Sequence, residues 1–464
     1  MSQAQPSPPG LARRLGLFDA TMIVMGGIVG SGIFMNPYVV ARQLHTPFLI
    51  LAAWAIGGVM ALIGAFIYAE LAARRPHVGG QYAYIREAYH PSVAFIYGWA
   101  LLLVTQTGGM ATVAVTFARY FLEITGARVP DALVASLALG LLTLINCFGV
   151  KEGSTVQSTL MVLKILAIVA LIGCGLFFAG TPAASRDLGT ASANLLDRPA
   201  SFDLLTAVGA AMVPVLFAYG GWQTASFVAG EMRQPQRDLP RGLIIGVVGV
   251  VVLYLAVNFV CVRVLGPEGL AATTTPASDG LRAALGEPGA KLIAAGIAIS
   301  TLGFLSQGML TAPRVYYAMA EDGLFFQRVG WLHPRSRVPV VAIAVQGVCA
   351  IAIALSGRYE QILSYVISLD FLFFGLTATC IFALRRRDAA PSSQSASVGA
   401  GFGPAPRASF LIPGHPFTTI AFVAASWLVV LNTFYKYWES SRIGLVILLS
   451  GIPAYIFWSR RKSR

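Results

Sequence analysis

Gly26-Gly27-Ile28-Val29-Gly30-Ser31-Gly32 lies within the first apolar stretch of the chain, residues 15–44, and Ala218-Tyr219-Gly220-Gly221-Trp222 lies within the sixth, residues 204–230. Glycine destabilises a helix interior, so both stretches predict helices that are interrupted near their middle. The first and sixth stretches are five helices apart. Because five is an odd number, two repeats that begin with these stretches would have opposite orientations in a membrane. Paired interruptions of this kind predict an inverted repeat with its binding site at mid-membrane.

The same glycines have a second interpretation. Gly26 and Gly30 fit the GxxxG spacing that lets two transmembrane helices pack closely without any interruption. For either glycine run alone, this interpretation stays open. Glycine runs at corresponding positions in two halves favour the interruption.

The composition is that of a membrane protein. Of the 464 residues, 56% are hydrophobic and only 11% are charged, and the mean hydropathy is +0.71. A soluble protein carries roughly a quarter charged residues. We therefore predict an all-α integral membrane protein with about twelve spans of suitable length, at residues 15–44, 48–70, 93–120, 131–149, 155–179, 204–230, 241–264, 291–319, 339–356, 362–384, 412–434 and 442–459.

The net charge of +13 could suggest nucleic-acid binding, but the positions of the basic residues argue against it. With the N-terminus inside, 21 of the 33 Lys and Arg residues fall at cytoplasmic ends and 11 at outer ends. Such a bias orients membrane proteins. We expect both termini in the cytoplasm, contact with membrane lipid, no nucleic-acid partner, and a location in the cell inner (plasma) membrane.

The polar segments divide the chain. A Ser/Ala/Gly/Pro-rich stretch separates ten spans from a final pair and has the composition of a linker. The predicted organisation is a cytoplasmic tail 1–14, a ten-helix core 15–384 made of repeats 15–179 and 204–384, a cytoplasmic linker 385–411, two last spans in 412–459, and a tail 460–464.

Cysteine and histidine give no sign of a metal site. All five cysteines fall inside predicted spans without CxxC spacing, and the five histidines lie at span ends or in loops. Buried cysteine behaves as a small apolar residue. We predict no metal and no cofactor.

The two interruptions offer complementary backbone groups. Breaking the first helix exposes N–H groups on Ser31, Gly32 and Ile33, which with the helix dipole suit a carboxylate. Breaking the sixth exposes carbonyls around Val215, Leu216 and Phe217, which suit an ammonium. Unpaired backbone groups at this depth must line a cavity or meet a ligand. A cavity with N–H donors on one wall and carbonyl acceptors on the other matches the α-carboxylate and α-ammonium groups of an amino acid.

Two charges lie deep in spans. Lys164 stands about ten residues from the cytoplasmic start of its span, too far for its head to reach water comfortably, and a buried ammonium costs on the order of 3 kcal/mol. A functional role is favoured over snorkelling. Asp370 has three possible roles: a polar group satisfied within the helix bundle, a residue in the wall of the pocket, or a carboxylate that carries a proton. The sequence does not decide among them. In the pocket, it would make a cationic substrate plausible.

A third group of charges lies near the cytoplasmic end of the sixth span. Glu231, Arg237 and Arg241 could form a gate with Glu70, Arg74 or Arg314. A solvated charge cluster is favoured, since exposed ion pairs contribute little.

Several motifs resemble one family. Ile28-Val29-Gly30-Ser31-Gly32-Ile33-Phe34 is similar to the first-helix signature of the amino acid–polyamine–organocation superfamily. Gly79–Tyr89 resembles its cytoplasmic loop after helix two. Phe217–Trp222, with Glu231-Met232 and Arg237–Arg241, is closest to the L-type amino-acid transporter branch. The likeness runs from about Leu15 to Trp458.

The resemblance implies a LeuT-type fold with helices 1 and 6 broken, alternating access, and sodium-independent transport of amino acids, often as exchange. By matching position, it implies substrate contacts at Ile28, Ser31, Gly32, Phe217 and Gly220, with the Phe217 ring as a gate. Lys164 would stand in for the sodium ion of coupled relatives.

Two positions depart from the eukaryotic members of the family. Gln223 falls where those members have Asn, so the polar wall of the pocket is altered. Phe121–Asp131 lacks the cysteine that tethers their glycoprotein subunit, so no disulfide-linked heavy subunit is expected.

Three other functions compete with neutral amino-acid exchange. A proton-coupled importer, or a carrier of cationic amino acids or polyamines, is the alternative within the same class. An enzyme would need an acid–base or nucleophile constellation, but away from their ends the predicted spans offer one Lys, one Asp and no His. A channel would need rings of charge or a filter repeat, and neither is present in the sequence.

Overall fold

The computed structural model describes residues 11–177, 195–196, 199, 201–273, 275–356, 359–389, 410–436 and 438–462. Over these residues the chain forms seventeen α-helices. They are α1 Leu17–Ile28, α2 Gly32–Ala41, α3 Pro47–Arg74, α4 Gln81–Ala88, α5 Pro91–Ala100, α6 Gln106–Thr125, α7 Asp131–Phe148, α8 Val150–Phe177, α9 Phe202–Tyr219, α10 Pro235–Ala272, α11 Pro276–Leu285, α12 Glu287–Thr311, α13 Pro313–Glu321, α14 Val340–Leu355, α15 Tyr359–Ala389, α16 Phe417–Lys436 and α17 Trp438–Lys462.

Three non-α segments complete the helical part of the described chain. A π-helical segment, Leu101–Thr105, joins α5 to α6, and 3₁₀ helices form at Trp222–Glu231 and Gln327–Gly330. Single π-turns inside α-helices often mark functional sites. The π segment lies in the third predicted span, close to the first and sixth.

The membrane-spanning character is confirmed. Ten helical units of the described chain are long and apolar enough to cross a membrane, and α1 with α2 forms an eleventh bent by 41°. The ninth predicted span corresponds to α14, an apolar helix of 16 residues, which is short for a crossing. The all-helical class with a broken first helix is as expected, whereas the count of twelve remains a prediction.

The two interruptions lie at the predicted glycines. α1 ends at Ile28 and α2 begins at Gly32. α9 ends at Tyr219, and Gly221 adopts a φ of 105° before the 3₁₀ helix begins. A side chain is strained at that φ, and a Cβ on Gly221 would collide with the Gly27 carbonyl. These glycines therefore both break their helices and let the two breaks touch.

Two short helices were not expected. The segment predicted as a loop after the second span contains α4, and α11 lies between α10 and α12. α8 also begins five residues before the predicted start of the fifth span, at Val150. The linker predicted at 385–411 lies mostly outside the described residues, as do Met1–Gly10 of the predicted tail, and the repeat boundaries stay a prediction.

Candidate functional site

The two helix breaks open into one cavity. It holds about 840 Å³ of space, including its opening to solvent. Its walls come from the breaks, the π segment, α6, α12 and α15. The lining residues are Gly27, Ile28, Gly30, Ser31, Gly32, Leu101, Thr105, Gln106, Gly109, Val113, Leu216, Phe217, Ala218, Gly220, Gly221, Gln223, Thr224, Phe304, Gln307, Val366, Ile367, Asp370, Phe371 and Phe374.

Most of the site residues predicted from sequence meet in this cavity. Ile28, Ser31, Gly32, Phe217, Gly220, Gln223 and Asp370 all line it. Ile33 is fully buried and does not line it, so its proposed contribution reduces to its backbone N–H. Lys164 is also fully buried outside the lining.

The amino end of α2 presents free donors to the cavity. The first helical hydrogen bond of α2 runs from the Phe34 N–H to the Ser31 carbonyl, over 3.1 Å. The N–H groups of Ser31, Gly32 and Ile33 precede it, and the first N–H groups of a helix have no intrahelical acceptor. Together with the positive end of the helix dipole, they form an anion site.

The carboxyl end of α9 supplies acceptors, one residue later than expected. A helix that ends at Tyr219 releases its last four carbonyls, so Val215 belongs to the regular helix. The Phe217 carbonyl accepts from Gly220 N–H at 3.1 Å, and the Ala218 carbonyl lies 3.2 Å from the Tyr254 hydroxyl. A carbonyl has two lone pairs, so both can still accept from an ammonium.

Side chains from three other helices contact the carbonyls that the first break releases. The Tyr254 hydroxyl of α10 lies 3.1 Å from the Ile28 carbonyl. The Lys164 ammonium of α8 donates to the Val29 carbonyl. The Ser300 hydroxyl of α12 donates to the Gly30 carbonyl over 3.3 Å. Three successive carbonyls at the negative end of α1 are therefore satisfied, one of them by a cation.

The sixth-helix break is held by amides and a hydroxyl. The Gln223 side-chain oxygen accepts from the Gly221 N–H at 3.1 Å. Thr224 donates to the Gly221 carbonyl at 2.6 Å, and the Gln307 amide of α12 donates to the Thr224 hydroxyl at 2.5 Å. Gln223 thus stabilises the break as well as lining the cavity.

A buried ion pair joins the end of the 3₁₀ helix Trp222–Glu231 to α13. Glu231 and Arg314 form a two-point ion pair, with nitrogen–oxygen distances of 2.9 and 3.1 Å, and each side chain is 1% exposed. The Glu231 carbonyl also accepts from Arg14 and Leu15 N–H at 2.9 and 3.0 Å. The favoured interpretation of these charges as solvated was wrong for Glu231 and Arg314, while Arg237 and Arg241 are exposed.

A second buried carboxylate ties α15 to α3. Glu70 is fully buried and accepts from Arg385 at 2.8 and 2.6 Å, and from Arg74 at 2.8 Å. It also accepts from the Ile412 N–H at 2.8 Å. The carboxyl end of α15 is therefore fixed to α3. Among the six charges that could have formed a gate, Glu231 pairs with Arg314 and Glu70 pairs with Arg74, in two separate clusters, while Arg237 and Arg241 are exposed.

Several functional residues were not predicted. Tyr254 and Ser300 contact the break, and Thr105, Gln106 and Gln307 line the cavity. The signal available in sequence was a polar side chain inside an apolar span, such as Thr105-Gln106-Thr107. Within the described chain, no cluster of three His, Cys, Asp or Glu residues could hold a metal.

Comparison with known proteins gives one family and many relatives. The family described as amino acid permease matches residues 15–456. The chain is 28% identical to the serine/threonine exchanger SteT of Bacillus subtilis (strain 168), over 98% of each protein. It is 28% identical to the b(0,+)-type amino acid transporter 1 of Homo sapiens, over 82% of this chain and 78% of that one. It is 27% identical to the large neutral amino acids transporter small subunit 2 of Mus musculus, over 97% and 82%.

Proposed function

Since the chain belongs to the amino acid permease family, we propose that it exchanges neutral amino acids across the cell inner membrane by alternating access, without sodium. The observation that carries the proposal is that both helix breaks open into one cavity, with backbone donors on one wall and acceptors on another. Zwitterionic α-groups fit this pair of walls. Both termini lie in the cytoplasm in this proposal.

The substrate is held by backbone. Its carboxylate accepts hydrogen bonds from the N–H groups of Ser31, Gly32 and Ile33, and its ammonium donates to the carbonyls near Phe217. Its side chain extends toward α6, α12 and α15, where Phe304 and Phe371 provide apolar surface. Hydrogen bonds that involve charged groups contribute about 1.5–3 kcal/mol each, so the α-groups supply affinity while the side-chain wall sets preference.

The Lys164 ammonium takes the place of a coupling cation. It contacts the Val29 carbonyl directly, at the end of α1 where a cation is most favoured. With a side-chain cation there, transport needs no sodium ion. The same interaction ties α8 to the break, so it contributes to the geometry of the substrate site.

Phe217 is the gate over the substrate. The ring is half-buried and lines the cavity. We expect Phe217→Ala to slow exchange at least tenfold while changing substrate affinity less than threefold, because the ring acts by occlusion. Binding by thermal shift and exchange in liposomes measure the two effects separately. Equal losses of rate and affinity would make Phe217 an ordinary contact.

Glu231 and Arg314 close the cytoplasmic side. Glu231→Gln leaves a buried guanidinium without its counter-charge, and breaking a buried pair costs roughly 3–5 kcal/mol. We expect a loss of exchange of more than tenfold in Glu231→Gln. The charge-swapped double variant Glu231→Arg with Arg314→Glu should recover part of it.

Arg237→Ala is the matched control for the gate, because Arg237 is exposed at the same end. It should exchange at the wild-type rate. If Arg237→Ala were as defective as Glu231→Gln, general surface charge rather than a buried pair would govern closure.

Liposome transport tests the proposed function directly. Purified protein is reconstituted with or without internal unlabelled amino acid, and uptake of labelled leucine or threonine is followed under sodium, choline or pH gradients. Exchange predicts uptake that requires internal substrate and ignores all three gradients. Concentrative uptake into empty vesicles driven by sodium would overturn it.

A proton-coupled importer is the second candidate, and the place of Asp370 in the cavity lining favours it. A carboxyl group that alternates between charged and neutral forms can carry a proton with the substrate. Uptake into empty vesicles driven by an inward proton gradient would establish this candidate in place of exchange. In either case we propose that no disulfide-linked subunit is needed, since Phe121–Asp131 contains no cysteine.

A further inference from the structure

Asp370 is chemically unlike everything else in the cavity wall. Of the described residues that line the cavity, it alone has an ionisable side chain. The other polar lining side chains are hydroxyls and amides. Asp370 belongs to α15 and is half-buried, so its carboxylate is sheltered from bulk water but reachable from the cavity.

Among the described residues, none provides a counter-charge to this carboxylate. Thr105, in the π segment, is its side-chain hydrogen-bond partner. The hydroxyls of Tyr68 and Tyr97 lie near it. Over the described residues, no Lys or Arg is found among the groups that act on Asp370. The one deep lysine, Lys164, is already engaged by the Val29 carbonyl.

A sheltered carboxylate with no cationic partner is energetically unfavourable. A single hydrogen bond from a hydroxyl does not offset the loss of water around a full charge. Either a proton or a cation carried in by the substrate would compensate it, and of these two only the substrate cation makes the carboxylate a specificity determinant. A hydroxyl on a substrate could add a hydrogen bond but would leave the charge uncompensated.

The geometry points to a specificity subsite for a cationic side chain: we infer that Asp370 and Thr105 bind the terminal ammonium or guanidinium of a lysine- or arginine-like substrate. The inference rests on the proposed function, since the backbone at the two helix breaks still holds the α-groups. Asp370 and Thr105 lie on the wall formed by α15 and the π segment, apart from the breaks. The protein therefore exchanges cationic as well as neutral amino acids.

The test is competition binding on the full-length purified chain, with L-lysine and L-arginine against L-leucine. Wild type should bind both classes. Asp370→Asn keeps the shape but removes the charge, so lysine affinity should fall about ten- to a hundredfold while leucine affinity stays within twofold. Retained leucine binding also shows that the variant is folded.

Two further variants sharpen the result. Asp370→Glu keeps the carboxylate and should retain part of the lysine affinity. Glu268→Gln removes an exposed carboxylate of α10 outside the cavity and should change neither affinity.

Each adverse outcome has a distinct meaning. Equal losses for lysine and leucine in Asp370→Asn would place Asp370 at the α-amino group and overturn the subsite. Wild type that binds leucine but not lysine would overturn it while leaving neutral exchange intact. If no amino acid bound or exchanged, the proposed function itself would fall, and the subsite with it.

Discussion

Replacing Gly32 with valine should abolish amino-acid exchange while the protein still inserts into the membrane. A Cβ at Gly32 would lie 3.0 Å from both the Cα and the Cβ of Ala218. Valine adds two further methyl groups. These would push the two breaks apart and cover the N–H groups that donate hydrogen bonds to the substrate carboxylate. Losing two charge-assisted hydrogen bonds alone would weaken binding by roughly 3–6 kcal/mol, so no thermal shift should be measurable. Ser31→Leu should fail in the same way.

Gly140→Val provides the control for this prediction. Gly140 lies on α7, outside the cavity, and a Cβ there would meet nothing within 4 Å. It adds the same side chain to a transmembrane helix, so it reports any general effect of valine on insertion or folding. Wild-type affinity in Gly32→Val, with Gly140→Val unchanged, would remove α2 from the substrate site.

The broken helices could be predicted because glycine leaves a local signature. Only a residue without a Cβ accepts the φ of 105° at Gly221. Close packing occurs as well, since Gly27 and Gly221 touch through their backbones, but it joins two interrupted helices, whereas the GxxxG interpretation of Gly26 and Gly30 required an uninterrupted one. A sequence shows where a residue lacks a Cβ, but it does not show which neighbouring residue packs against that position.

The partners of the released carbonyls could not be predicted in the same way. Tyr254 and Ser300 are single polar residues in apolar helices, and they meet the Ile28 and Gly30 carbonyls across separations of 226 and 270 residues. Nothing local distinguishes such a residue from one that bonds to its own helix. Lys164 was identifiable because a charge in a membrane demands a partner.

For Glu231 and Arg314, the sequence favoured exposure to solvent where the structure shows burial. Both occur near charged segments, which favoured a solvated cluster, yet they are paired with each other and buried. The pairing joins residues 83 positions apart and depends on how the end of the sixth span packs against α13. Burial of a charge is decided by tertiary packing, so the sequence alone could not separate this pair from the exposed Arg237.

Removing the Lys164 ammonium should reduce turnover sharply while leaving the protein in the membrane. Lys164 is fully buried and stands 14 residues after the start of α8 at Val150, about 21 Å along the helix axis. Water is therefore not a substitute partner for the Val29 carbonyl. Lys151, at the start of the same helix, is exposed and provides the matched control.

We expect Lys164→Ala to lose between about fivefold and a hundredfold in exchange rate, because a buried polar group left without a partner costs roughly 1–3 kcal/mol. Lys164→Met, which keeps the length but not the charge, should be equally defective, whereas Lys151→Ala should exchange normally. Wild-type exchange should be the same in sodium and in choline, since the side chain supplies the cation at the end of α1. Sodium-dependent wild-type uptake would reject this role outright. A Lys164→Met variant with normal rates would show that the lysine acts through its bulk and that its charge is not needed.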